Sequence, residues 1–319
     1  MSEWTFKNGI SNKLVDADPR WISAIETALQ SKATPLQSGY HVNTGAITKN
    51  GNIVIGSNHE MAITDTITHG EEAVIAAALE KYGMDDKIQV IAFAGLGGGE
   101  IPASCGNCRD ALKQYTDVEN LIMINAPKEG GEAVFVPGKV FFKDDFTKLS
   151  ESPFQEYKEI LHAQLADFMA YDIYSKKPNP NMYGAAIVCE DGDVFRGSFR
   201  GNVSYHPVLP ISAAIGNLRD SRDYSKRFKV KCIVVASENH IPNVLYKDRQ
   251  DALEFAEAMQ ALNGKKGKSL DVYLVSYSIT KEYSHKIFHT DTNEWLPHAF
   301  SPSRLGLEDK MVEAYRNIL

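Results

Sequence analysis

The sequence predicts an α/β fold, a three-layer α/β/α arrangement with a mixed sheet, laid down twice along one chain. Three observations predict it. Asn50-Gly51 lies between two β-prone runs, Gly45-Ala46-Ile47-Thr48 and Ile53-Val54-Ile55, which is a strong hairpin signal. Apolar runs then alternate with small-residue helical stretches. Finally, the hairpin pattern returns: Gly51-Asn52-Ile53-Val54-Ile55-Gly56-Ser57 is matched by Gly192-Asp193-Val194-Phe195-Arg196-Gly197-Ser198, at an offset of 141. At 319 residues the chain has room for two cores. The expected division is an N-terminal helical segment over 1–35, a first domain over 36–150 and a second over 151–319.

The elements follow in order. Residues 19–31 have helical spacing, with Asp18 as N-cap and Pro19 at the first helical position, where a missing N–H costs nothing. After the hairpin, residues 70–82 read as a helix whose Ala73, Ala76, Ala77 and Ala78 let it lie close to a sheet. Ile88-Gln89-Val90-Ile91-Ala92-Phe93 reads as a strand. Residues 94–100 are glycine-rich but lack the Lys-Ser/Thr of a phosphate-binding loop and fail G-x-G-x-x-G at its last position, so they read as a flexible loop over a site. A helix follows Cys105, through Arg109, Leu112 and Tyr115, and Leu121-Ile122-Met123-Ile124 is a further strand. In the second copy Asp191-Gly192 supplies the turn. The offset of 141 sets Pro210 at the place of His69 and Ser212 at that of Glu71, and no C-x-x-C follows Cys232-Ile233-Val234-Val235-Ala236. The second copy is therefore expected to keep the scaffold without a metal site.

Composition limits the function. A formal charge of -7 argues against a non-specific nucleic-acid binder, which needs a basic surface to neutralise phosphates. No apolar run of membrane-spanning length occurs, and Met1-Ser2-Glu3-Trp4-Thr5-Phe6-Lys7 lacks the basic-then-apolar order of a secretion signal. Cys189 and Cys232, in apolar surroundings, read as small core residues rather than a disulfide. Together these features lead to the expectation of a soluble, cytoplasmic enzyme.

The chemistry is carried by His69-Gly70-Glu71 at the start of one helix and Cys105-Gly106-Asn107-Cys108 at the start of another. Alone, the histidine would read as a surface or capping residue, and the C-x-x-C as a redox motif or half of a structural zinc site. Together they offer three ligands for zinc, one fewer than the four it prefers, which leaves a position for water and marks a catalytic site. His59 is the nearest candidate for a fourth ligand, but strand alternation turns it away. Glu71, two residues after the histidine, reads as a proton carrier, because one carboxylate can both accept and donate. Glu72 lies about a hundred degrees further around the helix and faces elsewhere. Asn58 and Glu60, two apart on a strand, share one face and can meet the hydroxyls of a sugar.

The pattern H-x-E…C-x-x-C resembles that of the zinc deaminases, and more closely the cytidine deaminases of the two-domain type with a degenerate C-terminal half. Gly56-Ser57-Asn58-His59-Glu60 is similar to the family's G-x-N-x-E strand, and Leu296-Pro297-His298-Ala299-Phe300-Ser301-Pro302 to its L-P-x-A-F-x-P segment. The resemblance covers residues 36–302. It implies one zinc per chain, held by His69, Cys105 and Cys108, and catalysis by Glu71. Asn58 and Glu60 would lie on ribose and the Gly70 carbonyl on the amino group that leaves. It also implies a homodimer in which Phe300 approaches a neighbouring site. Three departures bear on substrate: Ser104 stands where the family has proline, Gly70 where alanine is common, and Val42 where an aromatic packs on the base. The loss of a ring and of a methyl group makes room for a modified or larger base. The expected function is hydrolytic deamination of a cytidine-like nucleoside. The alternatives are a modified pyrimidine nucleoside or nucleoside antibiotic as substrate, or a non-catalytic zinc-stabilised binding protein.

Overall fold

The computed structural model describes residues 4–61, 67–95, 100–142, 157–203, 206–221, 229–279 and 284–318. The chain divides into two compact units, Met1–Phe142 and Lys143–Leu319. Each is α/β, with a mixed sheet and helices on both faces, as the alternation of strand and helix signals predicts.

In the first unit the elements are β1 (Trp4–Asn8), β2 (Leu14–Val15), α1 (Pro19–Gln30), β3 (Asn43–Thr48), β4 (Ile53–Ser57), β5 (His59–Glu60), β6 (Ile67–Thr68), α2 (Gly70–Tyr82), β7 (Ile88–Ala94), α3 (Gly106–Tyr115), β8 (Ile122–Ala126) and β9 (Gly131–Pro137), closed by a 3-10 turn at Gly138–Phe141. The main sheet runs β2-β1-β9-β8-β7-β3-β4. Strand alternation sorts β7 between two layers. Ile91 and Phe93 pack with Val74, Ile75 and Ala78 of α2 and Leu112 of α3, while Val90 and Ala92 pack with Ala24 and Ile25 of α1. Asp18 caps α1 by accepting the Arg20 N–H at 2.8 Å, and Pro19 opens the helix.

Residues 1–35 do not form a separate helical segment. Strand β1 pairs in parallel with β9, from Trp4 opposite Gly131 to Asn8 opposite Phe135, and α1 covers one face of the sheet. The pairing partner lies more than a hundred residues away, beyond the reach of local pattern. The boundary expected at 150 falls among residues outside the described ones.

In the second unit α4 (Tyr157–Phe168), β10 (Gly184–Cys189), β11 (Val194–Ser198), α5 (Pro210–Ser221), β12 (Val230–Glu238), α6 (Tyr246–Leu262), β13 (Asp271–Ser278), β14 (Ser284–Asp291), α7 (Thr292–Trp295) and α8 (Glu308–Ile318) follow. Its sheet order, β11-β10-β12-β13-β14, has the same sequence of parallel and antiparallel pairings as β4-β3-β7-β8-β9. The repeat is thus one of topology as well as of sequence. Helices α1 and α4 also correspond, each resting on a glycine of the first hairpin strand. A Cβ at Gly45 would stand 2.2 Å from the Ala24 carbonyl oxygen, and one at Gly184 would stand 2.1 Å from the Asp167 nitrogen. Cys189 and Cys232 form no disulfide and are buried, in two different apolar clusters. Among the described residues no helix is long and apolar enough to cross a membrane.

Candidate metal centre and active site

The site is built at two helix N-termini in the first unit. His69 is the N-cap residue of α2 and Cys105 that of α3, so both side chains stand at positive ends of helix dipoles, with Cys108 one turn into α3. His69 Nδ1 lies 3.1 Å from Cys108 Sγ and 3.3 Å from Cys105 Sγ, and the three donor atoms all fall within 4.8 Å of one another. Ligands on a tetrahedral zinc at about 2.0–2.3 Å are roughly 3.3–3.8 Å apart, so this nitrogen and two sulfurs suit that ion in chemistry and stand slightly closer together than it would hold them. The Cys108 thiol and His69 hold the Cys105 thiol well below its ordinary range, whereas burial pushes that of Cys108 up. The hydrogen bond to Cys105 raises His69 to about 9.

Glu71 is buried beside this group. Burial pushes its carboxyl above the usual range, the charge of Cys105 adds to that, and the Ser104 hydroxyl works in the opposite direction. Glu72 faces the outer rim, where it ties the two helices together. Its carboxylate accepts the His69 N–H at 2.9 Å and the side-chain amide of Asn107 on α3.

The other residues singled out from sequence fall as follows. His59 is exposed and pairs with Thr34 Oγ1 at 2.8 Å, while Asn58 and Glu60 are turned inward and buried. Both grip the preceding loop. Asn58 accepts the Val42 N–H and donates to the Tyr40 carbonyl, each at 2.9 Å. Glu60 accepts the Gln37 and Ser38 N–H groups at 2.8 Å and the Ser38 hydroxyl, and that hydroxyl is the main cause of a lowered Glu60 pKa. Val42, half-buried at the end of this loop, packs against the α2 side of the core. At Gly70 the space of a methyl group is already filled, since a Cβ would stand 2.1 Å from Thr44 Oγ1 and 3.1 Å from Val42 Cγ1. The glycine therefore makes way for Thr44, a correction to the reading that it gives the base more room. Phe300 belongs to the second unit, half-buried, its carbonyl accepting from Gln250 on α6. Of the glycine-rich loop, residues 96–99 lie outside the described residues.

The second unit carries other residues where the first has His69, Cys105 and Cys108. The first-turn bonds Ala73 N–His69 O and Ala213 N–Leu209 O, both 2.9 Å, make Leu209 the counterpart of His69. Gly56 abuts Ala73 and Val74 as Gly197 abuts Ala213 and Ala214. The connection is one residue shorter in the second unit, so the offset falls from 141 to 140. Ile211, not Ser212, then stands at the place of Glu71, and Pro210 at that of Gly70 rather than His69. By the same offset Leu245 replaces Cys105, as the α6 N-cap, and Asp248 replaces Cys108. Among the described residues the His/Cys group of the first unit has no counterpart here.

Two features were not read from the sequence. Arg109, fully buried, donates from Nε to the Ser104 carbonyl at 2.9 Å, and Arg249 does the same to Val244 at 2.9 Å. An arginine directly after the last position of each four-residue motif was the available signal. Thr44 carries none, because its contact with Gly70 crosses from strand to helix.

No protein-family model matches this chain, and no curated protein does. Solved structures do. A cytidine deaminase from Burkholderia pseudomallei is 23% identical, with a TM-score of 0.32, over 46% of this chain and 100% of that one. Cytidine deaminase from Mycobacterium tuberculosis is 22% identical over 40% and 97%, with a TM-score of 0.32. That from Mycobacterium leprae is 19% identical over 40% and 100%, also at 0.32.

Proposed function

We propose that the chain is a zinc-dependent hydrolase that removes the ring amino group of a cytidine-like nucleoside, giving the uridine-like product and ammonia. The observation that carries this is the convergence of His69 Nδ1, Cys105 Sγ and Cys108 Sγ beside the buried carboxylate of Glu71. Bound zinc would supply a water whose pKa falls to about 7, hence a nucleophile at neutral pH. Glu71 would take one proton of the water and give it to the ring nitrogen as the oxygen adds to the ring carbon. It would then take the second proton from that oxygen and give it to the amino group, so that the C–N bond breaks and ammonia leaves. Burial raises that carboxyl's pKa above the ordinary carboxylate range, the direction that suits a group which carries a proton between two transfers. The Gly70 carbonyl receives the amino group. Asn58 and Glu60 reach the sugar with their remaining hydrogen and lone pairs while they hold the Val42 loop.

One such site per chain follows, because Leu209, Ile211, Leu245 and Asp248 fill the matching place in the second unit. The absence of a ring at Val42 favours a modified pyrimidine nucleoside or a nucleoside antibiotic as the second reading. A buried Glu71 has no use in a purely structural zinc site, which weighs against a non-catalytic binding protein. Four cysteines outside any disulfide suit a reducing compartment such as the cytoplasm, and a homodimer would allow Phe300 to approach a neighbouring site.

The test is ammonia release from zinc-loaded protein across cytosine and modified-cytosine nucleosides. Glu71→Gln should keep its zinc and lose about 10²–10⁴-fold in kcat. Equal, metal-independent activity in wild type and variant would sink the proposal.

A further inference from the structure

We propose that Glu72 and Asn107 are a positioning pair for the metal centre. Their hydrogen bond fixes the spacing of the two helix starts that carry His69, Cys105 and Cys108, and so sets how tightly the site holds zinc. This rests on the reading of those three donors as a zinc site and does not depend on the substrate.

The need for such a link follows from where the donors sit. Cys105 and Cys108 belong to one helix start, three residues apart, and move together. His69 belongs to the other. The gap between α2 and α3 therefore decides whether its Nδ1, 3.1 and 3.3 Å from the two sulfurs, stays in reach of a shared ion. Affinity rises when that arrangement exists before the ion arrives, because binding then has less ordering to supply.

Glu72 is placed to hold the gap. Its Oε2 accepts the His69 N–H at 2.9 Å, which secures the backbone of the donor residue at φ −80°, ψ 158°. Its Oε1 accepts the side-chain amide of Asn107, which lies between the two cysteines in sequence. One carboxylate thus joins the residue that carries the nitrogen to the segment that carries both sulfurs. Both partners are donors, and a carboxylate accepts at both oxygens, so the group matches the two ends it connects.

The second unit joins its helices in another way. There Ser212 stands at the place of Glu72 and Lys247 at that of Asn107, and the link comes from the centre. Asp248, at the place of Cys108, accepts the Ile211 and Ser212 N–H groups at 3.0 and 3.1 Å. The first unit has a thiol at that place and makes its link at the rim. A tie at the rim closes the helix starts without engaging any of the three metal donors.

The experiment uses the full chain and zinc itself. Affinity is measured by competition with a chelator for wild type, Asn107→Ala, Glu72→Ala and the exchange of Glu72→Gln with Asn107→Asp. Asn107→Ala leaves the carboxylate and its bond to His69 in place, so it reads the interhelical link alone, and zinc affinity should fall about tenfold. Glu72→Ala removes both bonds and should lose more, up to about a hundredfold. The exchange trades amide and carboxylate across the same gap and keeps one negative charge. It should hold zinc within about threefold of wild type. The Tm of zinc-free Asn107→Ala should stay near that of zinc-free wild type, since Asn107 is exposed. Unchanged zinc affinity in Asn107→Ala overturns the proposal, as does an exchange variant that binds no better than Asn107→Ala. A wild type that takes up no zinc overturns it as well. If wild type binds zinc but releases ammonia from no nucleoside, the deaminase reading fails, and the affinity series still decides this pair.

Discussion

The two units solve the same packing problem with different chemistry. In each, two helices begin side by side at the edge of a five-strand motif of common topology, and their first N–H groups need partners. The first unit brings His69, Cys105 and Cys108 to that place. The second fills it with one carboxylate: Asp248 Oδ2 accepts the Tyr183 hydroxyl and the Ile211 N–H at 3.0 Å, and Oδ1 accepts the Ser212 N–H at 3.1 Å. Ser212 also donates to Asp251. The scaffold therefore does not need a metal to hold its helix ends together. His69, Cys105 and Cys108 are thus not required for a scaffold of this topology to close its helix ends.

The sharpest way to break this comparison is to move the second unit's residue into the first. Cys108→Asp should lose stoichiometric zinc and at least about 10³-fold in activity, since a hard oxygen replaces a buried thiolate in a site of only three protein ligands. Metal analysis with ammonia release checks both. Full zinc retention with wild-type turnover would mean that the cluster is not the metal centre.

A smaller effect tests the second unit. Asp248 is wholly buried, and burial raises its carboxyl from 3.8 to about 7, with Asp251 adding to the rise and the Ile211, Ser212 and Tyr183 donors opposing it. A raised carboxyl binds its proton more tightly folded than unfolded. Stability is thus fully present at acid pH and lost as pH climbs from about 4 to about 7. Between pH 5 and pH 8 the loss should be on the order of 2–3 kcal/mol. The protection of β12 amides, after division by the base-catalysed intrinsic exchange rate, reads the second unit alone; it should fall over that range in wild type and stay level in Asp248→Asn. A flat wild-type profile would show that Asp248 stays ionised.

These predictions draw on residues that sequence disclosed unequally. The convergence of His69, Cys105 and Cys108 was legible because each motif is local: two helix starts, with donor side chains at fixed short spacing. The Asp18 cap and the Asn50-Gly51 turn were legible for the same reason. What escaped lies between distant segments. Nothing within Trp4–Asn8 points to its pairing with Gly131–Pro137. A one-residue shortening before Pro210 shifted the assignment of Leu209 and Ile211, because only packing on Gly197 sets that register. Asn58 and Glu60 could be placed on one face by alternation, yet that they grip residues 37–42 depends on how a loop without periodicity returns.

The smallest effect concerns Gly70, whose missing methyl group can be read as room for a base or as room for Thr44. The geometry favours Thr44, since its Oγ1 would stand 2.1 Å from an added Cβ. Gly70→Ala should therefore cost about 1–2 kcal/mol through overpacking. Thr44→Ala should relieve most of that, because the remaining contacts are with Val42 Cγ1 at 3.1 Å and Thr44 Cβ at 3.3 Å, which small shifts can absorb. The two changes should couple by about 1 kcal/mol in a double-mutant cycle read by denaturant titration. The second unit has already made the exchange at this strand position: Thr44 sits opposite Gly56, Ala185 sits opposite Gly197, and Pro210 follows where Gly70 was. Where the hydroxyl is gone, the helix start tolerates a ring. If Gly70→Ala leaves stability unchanged but narrows the range of bases accepted, then the space beside Gly70 belongs to the substrate and Thr44 moves aside to provide it.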